Sequence, residues 1–198
     1  MLKTRVKAGK VNNLTDARYF AAMGVDYLGF CCNTGTELYC APSKIKEITE
    51  WVEGPVFVLE FDGWQHEDEI RAILESGLGQ ALHFGAFSTY NADFGVPVFK
   101  DVILDTMLDV DLNQVDFPVF RSDKPFGSLS EKSLETMLTM SKAKQVFLDL
   151  PFDNSDITTL LDTLPQCGLV IRGGVEEKTG VKSFTDLDDI FEILSAET

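Results

Sequence analysis

Short runs of apolar, β-branched and aromatic residues alternate along the chain with segments whose apolar positions recur at helical spacing. Such alternation marks repeated strand–helix units built around a parallel sheet. The pattern predicts eight strands, at residues 5–9, 26–30, 56–61, 81–84, 96–102, 117–122, 145–150 and 169–172. Helical periodicity is clearest at residues 15–23, 43–52, 66–76, 130–141, 155–163 and 183–195. Ser43, Asp153 and Ser183 stand where N-caps belong, because a short side-chain oxygen satisfies an amide that the first helical turn leaves without a partner. Between the fourth and sixth strands the helical signal fades to short stretches at 88–92 and 109–114.

Eight such units predict an α/β fold of the (β/α)8 TIM-barrel type, short and with reduced helices between strands four and six. The 198 residues form one domain, 1–198, where barrels of this kind typically run to about 250 residues. A doubly wound open sheet would carry a phosphate fingerprint after its first strand. The sequence there is AGKVNNL, without GxGxxG spacing, and no GxxxxGK[ST] motif occurs elsewhere.

Composition narrows the function. A hydrophobic share of 44% and a charged share of 25% suit a folded globular chain. The net charge of −15 repels nucleic-acid backbones, so no nucleic-acid partner is expected. It repels small anions too, so a site for one demands concentrated Lys or Arg, or oriented amides. No apolar run is long enough for a membrane span and the first residues, MLKTRVKAG, do not read as a secretory leader, so the expectation is a cytoplasmic protein with no membrane partner. Cys31 and Cys32 are adjacent, and Cys40 and Cys167 have no CxxC partner, which reads as core packing. His66 has no second histidine at helical i+4 spacing. No metal site and no cofactor are therefore expected.

In a barrel the chemistry gathers at the C-terminal strand ends, where the loops converge above a packed core. Lys7, Lys10, Glu60, Asp62, His83, Lys100, Asp101, Arg121, Asp123, Asp149 and Arg172 all fall there. Some charge accumulates at any strand end because the chain emerges into water. Arg172 has more to recommend it, since it precedes Gly173, Gly174 and Val175, whose amides together with the guanidinium suit a phosphate or carboxylate. Lys7, His83, Asp123 and Asp149 are the candidates for acid–base work. A desolvated Lys100 would suit a Schiff base.

Several segments, in order, resemble phosphoribosylanthranilate isomerase, the family that converts an aminoaldose to an aminoketose. VKAGKVNNLTDARYFAAMGVDYLGF is similar to the family's opening VKICGIT and NLEDA, and QALHFG to its QLHG. CGLVIRGGVEEKTGVKSFTDL is similar to VDVSSGVE and GVKD, with Gly174, Val175, Glu176, Gly180, Val181 and Lys182 matching. Tyr39 and Pro42 fit the segment after strand two. The resemblance implies a barrel whose mouth binds a phosphorylated ligand.

Matched residue by residue, the resemblance also implies losses. Gly9 stands where the family has its cysteine general base, and Lys10 replaces the glycine that follows. Leu38 takes the place of the arginine that pairs with the substrate carboxylate. Arg121 aligns with the aspartate general acid, unless a slip of one or two residues brings Asp123 into that role. LDLPF replaces AGGL of the phosphate loop, so Pro151 removes an amide and Leu150 adds a side chain. At strand eight Arg172 replaces a serine. The reading is an isomerase-like barrel that binds a small anionic, phosphorylated metabolite, anchored by Arg172, Gly173, Gly174, Val175 and Arg121. Authentic isomerisation through Asp123 and a substitute base, an enzyme of altered chemistry, and a non-catalytic binding protein stand as alternatives.

Overall fold

Eight parallel strands close on themselves. The computed structural model describes residues 1–90, 92–104, 106, 112–173 and 184–195. Its strands are β1 (Val6–Gly9), β2 (Tyr27–Cys31), β3 (Val56–Phe61), β4 (Ala81–Phe84), β5 (Val98–Ile103), β6 (Phe117–Arg121), β7 (Phe147–Asp149) and β8 (Gly168–Arg172). They pair in chain order, and β8 returns to β1 through Val6 opposite Leu169 and Gly9 opposite Arg172. Closure leaves no open sheet edge to recruit another chain.

Helices α1 (Leu14–Ala22), α2 (Pro42–Thr49), α3 (Glu67–Glu75), α4 (Glu131–Ser141), α5 (Asn154–Thr163) and α6 (Thr185–Leu194) follow strands one, two, three, six, seven and eight. Among the described residues no helix follows β4 or β5, as the fading periodicity predicts. Asp153 caps α5 in a capping box, accepting from the Asp156 amide while Asp156 accepts from its own. Ser43 is not a cap. The cap of α2 is Ala41, with Pro42 opening the first turn, where its missing N–H costs nothing. Ser183 lies outside the described residues. Helix α2 ends three residues early, at Thr49, and the other ends shift by a residue or two, β7 keeping only three residues.

Lys100 faces outward and takes over part of the absent helix's work. Its ammonium donates to the carbonyls of Gly85, at 2.7 Å, and Ser88, folding the β4–β5 connection over the barrel. Burial lowers its pKa, against the pull of Asp101. Phe84, Tyr90 and Phe94 stack beneath the same connection. Lys144 ties the approach to β6, donating to Leu112 O at 2.8 Å and Val115 O at 2.6 Å. A Schiff-base role for Lys100, which nothing else in the sequence supports, gains no support from the fold, because the amine donates to loop carbonyls outside the barrel.

Strand alternation separates two interiors. Outward residues such as Val6, Leu28, Leu59, Leu82, Phe120, Leu148 and Leu169 meet the helices. Inward residues Tyr27, Val58, Ala81, Phe99, Val119, Phe147 and Val170 form a second cluster inside the barrel. Tyr27, Phe99 and Phe147 pack edge to face at 5.1 to 5.8 Å and plug it. Two residues further along each strand the inward position becomes Gly29, Glu60, His83, Asp101, Arg121, Asp149 and Arg172. The barrel is thus apolar below and charged at its mouth. No described helix is long and apolar enough to cross a membrane.

Candidate ligand site at the barrel mouth

The charged residues form a chain of alternating sign around the ring. Lys7, fully buried, reaches up from β1 to pair with Glu60, its ammonium 5.8 Å from the Phe99 ring. Glu60 also accepts the Lys10 N–H at 3.0 Å and lies 3.7 Å from His83 Nδ1. His83 Nε2 stands 2.8 Å from Asp101 Oδ1, and Arg121 Nη1 donates to the other Asp101 oxygen at 2.6 Å. Arg121 Nε is 3.1 Å from Asp149. Asp149 in turn accepts from both terminal nitrogens of Arg172, Nη1 at 2.7 Å. Lys10 Nζ pairs with Asp62 at 2.6 Å.

Gly29 makes room for this. A Cβ there would lie 2.6 Å from Glu60 Cδ and 2.8 Å from Lys7 Nζ, so only glycine lets the buried pair occupy the space. Lys10 has a left-handed backbone, φ 56°, a conformation that glycine takes without strain. The Glu60 carboxylate holds its amide in place.

Each titrating group reflects its neighbours. Burial alone would raise the pKa of Glu60, but the Lys7 ammonium and then His83 drive it well below the usual carboxylate range. Asp101 is lowered in the same way, burial being overcome by His83 and Arg121. Burial and Lys7 oppose the charge on His83, yet the contacts with Asp101 and Glu60 prevail and raise its pKa. Imidazolium is therefore favoured between two carboxylates.

Above this layer opens a cleft of about 530 Å3. Lys10, Arg121 and Arg172 bring positive charge to its lining, Asp62, Asp123 and Asp149 negative charge, and Phe87 and Pro151 apolar surface. The guanidinium side chains of Arg121 and Arg172 are 35% and 38% exposed, whereas the Asp149 side chain between them is 6% exposed. Of the four acid–base candidates, Asp123 and Asp149 line the cleft, while Lys7 and His83 are buried among the groups beneath it. Of the anion-binding candidates, Arg121 and Arg172 line it and Gly173 follows the end of β8. Gly174 and Val175 lie outside the described residues.

Lys10, Glu60, Asp62 and Asp101, placed at strand ends from the sequence but given no role there, belong to this mouth, and Phe87, which the sequence did not single out, joins them. Their signal was present, since Glu60 and Asp101 follow the inward apolar Val58 and Phe99 by two residues. At the resemblance's key positions, Gly9 has ordinary space for a side chain, a Cβ meeting Val170 Cγ1 at 3.4 Å and Glu60 Oε1 at 3.5 Å. Leu38 is 40% exposed. Arg121 ends β6 facing inward, and Asp123 is exposed in the loop beyond.

The fold is a (β/α)8 barrel with a cleft at its C-terminal face, where barrels of this type carry their sites. No protein-family profile and no curated protein sequence matches the chain. Solved structures do, and the fold is that of the phosphoribosylanthranilate isomerases. The enzyme from Thermus thermophilus superposes with a TM-score of 0.74 at 23% identity, over 96% of this chain and 98% of that one. A second, solved in complex with reduced 1-(o-carboxyphenylamino)-1-deoxyribulose 5-phosphate, gives 0.73 at 16% identity over the same shares. The 3-hexulose-6-phosphate synthase of Salmonella typhimurium follows at 0.59 and 12% identity, over 98% of each chain. Identities this low speak for the fold alone.

Proposed function

We propose that this chain is a diverged relative of the phosphoribosylanthranilate isomerases that binds a small anionic, phosphorylated metabolite at the barrel mouth and does not carry out the standard isomerisation. One observation carries the reading. Two guanidinium groups, each about a third exposed, converge on one cleft from the ends of β6 and β8, on either side of β7. A protein of net charge −15 repels anions at long range, so an anion site depends on such local donors. The amide of Gly173, which follows the end of β8, extends the same cradle in this reading.

The lost isomerase chemistry rests on chemical identity. Gly9 has no titratable group to serve as base. Leu38 forms no charge-assisted bond with a carboxylate. Asp123 and Asp149, which line the cleft together with Asp62, are the carboxylates this reading assigns to proton exchange with whatever occupies it. Calorimetry with ribose 5-phosphate tests the binding. A charge-assisted contact is worth about 1.5–3 kcal/mol, so Arg172→Ala is expected to weaken binding by roughly ten- to a hundredfold. Equal affinity in both proteins sinks the site. Expression in a tryptophan auxotroph lacking only the isomerase is expected to give no growth, and growth would establish the authentic enzyme instead.

A further inference from the structure

Asp149 occupies the best anion-binding geometry that Arg172 has. Two parallel N–H···O contacts from the terminal nitrogens are the arrangement in which a guanidinium takes an external carboxylate or phosphate. Here the partner is the protein's own carboxylate, which also faces Arg121 Nε at 3.1 Å. It is buried, held by β7 and already in position, so it pays none of the ordering entropy that a free ligand loses on binding. Pro151, two residues on, lacks the N–H that would add a donor from the same loop.

We infer that Asp149 is a resident anion that competes with the ligand for Arg172 and Arg121, and so selects dianionic phosphate monoesters over monocarboxylates. The inference rests on the anion-binding reading above. A monocarboxylate offers the two guanidinium groups the charge that Asp149 already supplies, and it must give up its freedom to do so. A phosphate monoester above its second pKa has twice the charge and three acceptor oxygens, enough to engage both arginines while Asp149 is displaced or stays as a like-charged neighbour. Affinity in the wild-type protein is the difference between two competing anions.

Titration of the wild type, Asp149→Asn, Arg172→Ala and the double variant with ribose 5-phosphate and with acetate, at about pH 7.5, above the second pKa of a phosphate monoester, decides the matter. Like-charge juxtaposition at an interface is costly, so Asp149→Asn is expected to bind the sugar phosphate about tenfold tighter or more. It should also gain measurable acetate binding, which the wild type is expected to lack. Both gains should vanish when Arg172→Ala is added. If Arg172→Ala weakens binding while Asp149→Asn leaves it unchanged, the anion site stands and the competition is refuted. If neither wild type nor Asp149→Asn binds, both fall. Should Asp149→Asn fail to fold, a crystal structure of the wild type with ribose 5-phosphate replaces it. An opened Arg172–Asp149 fork with phosphate on the guanidinium supports the inference, and an intact fork with phosphate seated elsewhere overturns it.

Discussion

Replacing Lys7 with Met isolates what the buried charge layer contributes. Lys7 is fully buried and Glu60 nearly so, and methionine fills a similar volume, so the perturbation is chiefly electrical. Removing one partner of a buried pair leaves an uncompensated charge and costs about 3–5 kcal/mol. Glu60 keeps the Lys10 N–H at 3.0 Å and His83 Nδ1 at 3.7 Å, which favours the lower end of that range. About 3 kcal/mol is a large part of a usual folding stability of about 5–15 kcal/mol, and corresponds to a melting temperature lower by about 6–12 °C.

The sign of the pH dependence is specific. In the wild type Glu60 has a folded pKa below its unfolded value of about 4.3. Its contribution is therefore present above that value and lost as pH falls through the folded pKa. Without Lys7, burial is opposed mainly by His83 and the folded pKa rises from its wild-type position, so the ionised group is less well stabilised at neutral pH and this difference fades on acidification. Urea unfolding of both proteins across pH should show a gap widest near neutrality that narrows in acid. Adding Glu60→Gln to Lys7→Met should recover most of the loss. A neutral-pH gap below about 1 kcal/mol, or one independent of pH, would refute the electrostatic account of this layer.

Two further outcomes follow from the glycines of the mouth. Gly29→Ala places a Cβ 2.6 Å from Glu60 Cδ and 2.8 Å from Lys7 Nζ, and such overpacking should cost about 2–3 kcal/mol in a denaturant melt, unchanged stability showing that the pair can move aside. Gly9→Cys meets only ordinary contacts, the nearest at 3.4 Å, so it should fold normally and still fail to rescue the tryptophan auxotroph, growth showing that the missing base was the one essential loss.

Much of the barrel was legible from the chain because it is written in local periodicity. The eight strands, the helices after six of them and the fading between strands four and six all reflect side chains that repeat every two or about 3.6 residues. The charged mouth was partly legible as well. Val58 to Glu60, Phe99 to Asp101 and Phe147 to Asp149 each step from apolar to charged across one inward repeat. Ser43 misled because any short polar residue near a helix start resembles a cap, whereas Pro42 with its fixed backbone opens the turn.

Partnership was the part that only the tertiary structure decided. Taken singly, Arg172 read as a free anion anchor, Asp149 as an acid or base, and Lys7 as a catalytic amine. Closing the barrel sets Arg172 against Asp149 across 23 residues of chain and Lys7 against Glu60 across 53. Each cation then meets a carboxylate before it meets any ligand. Sequence periodicity fixes which way a side chain points within its own strand but carries no term for the strand next to it. The neutralised ring at the mouth exists because inward-facing strand ends must share one small circle, where opposite charges come within hydrogen-bonding distance of one another.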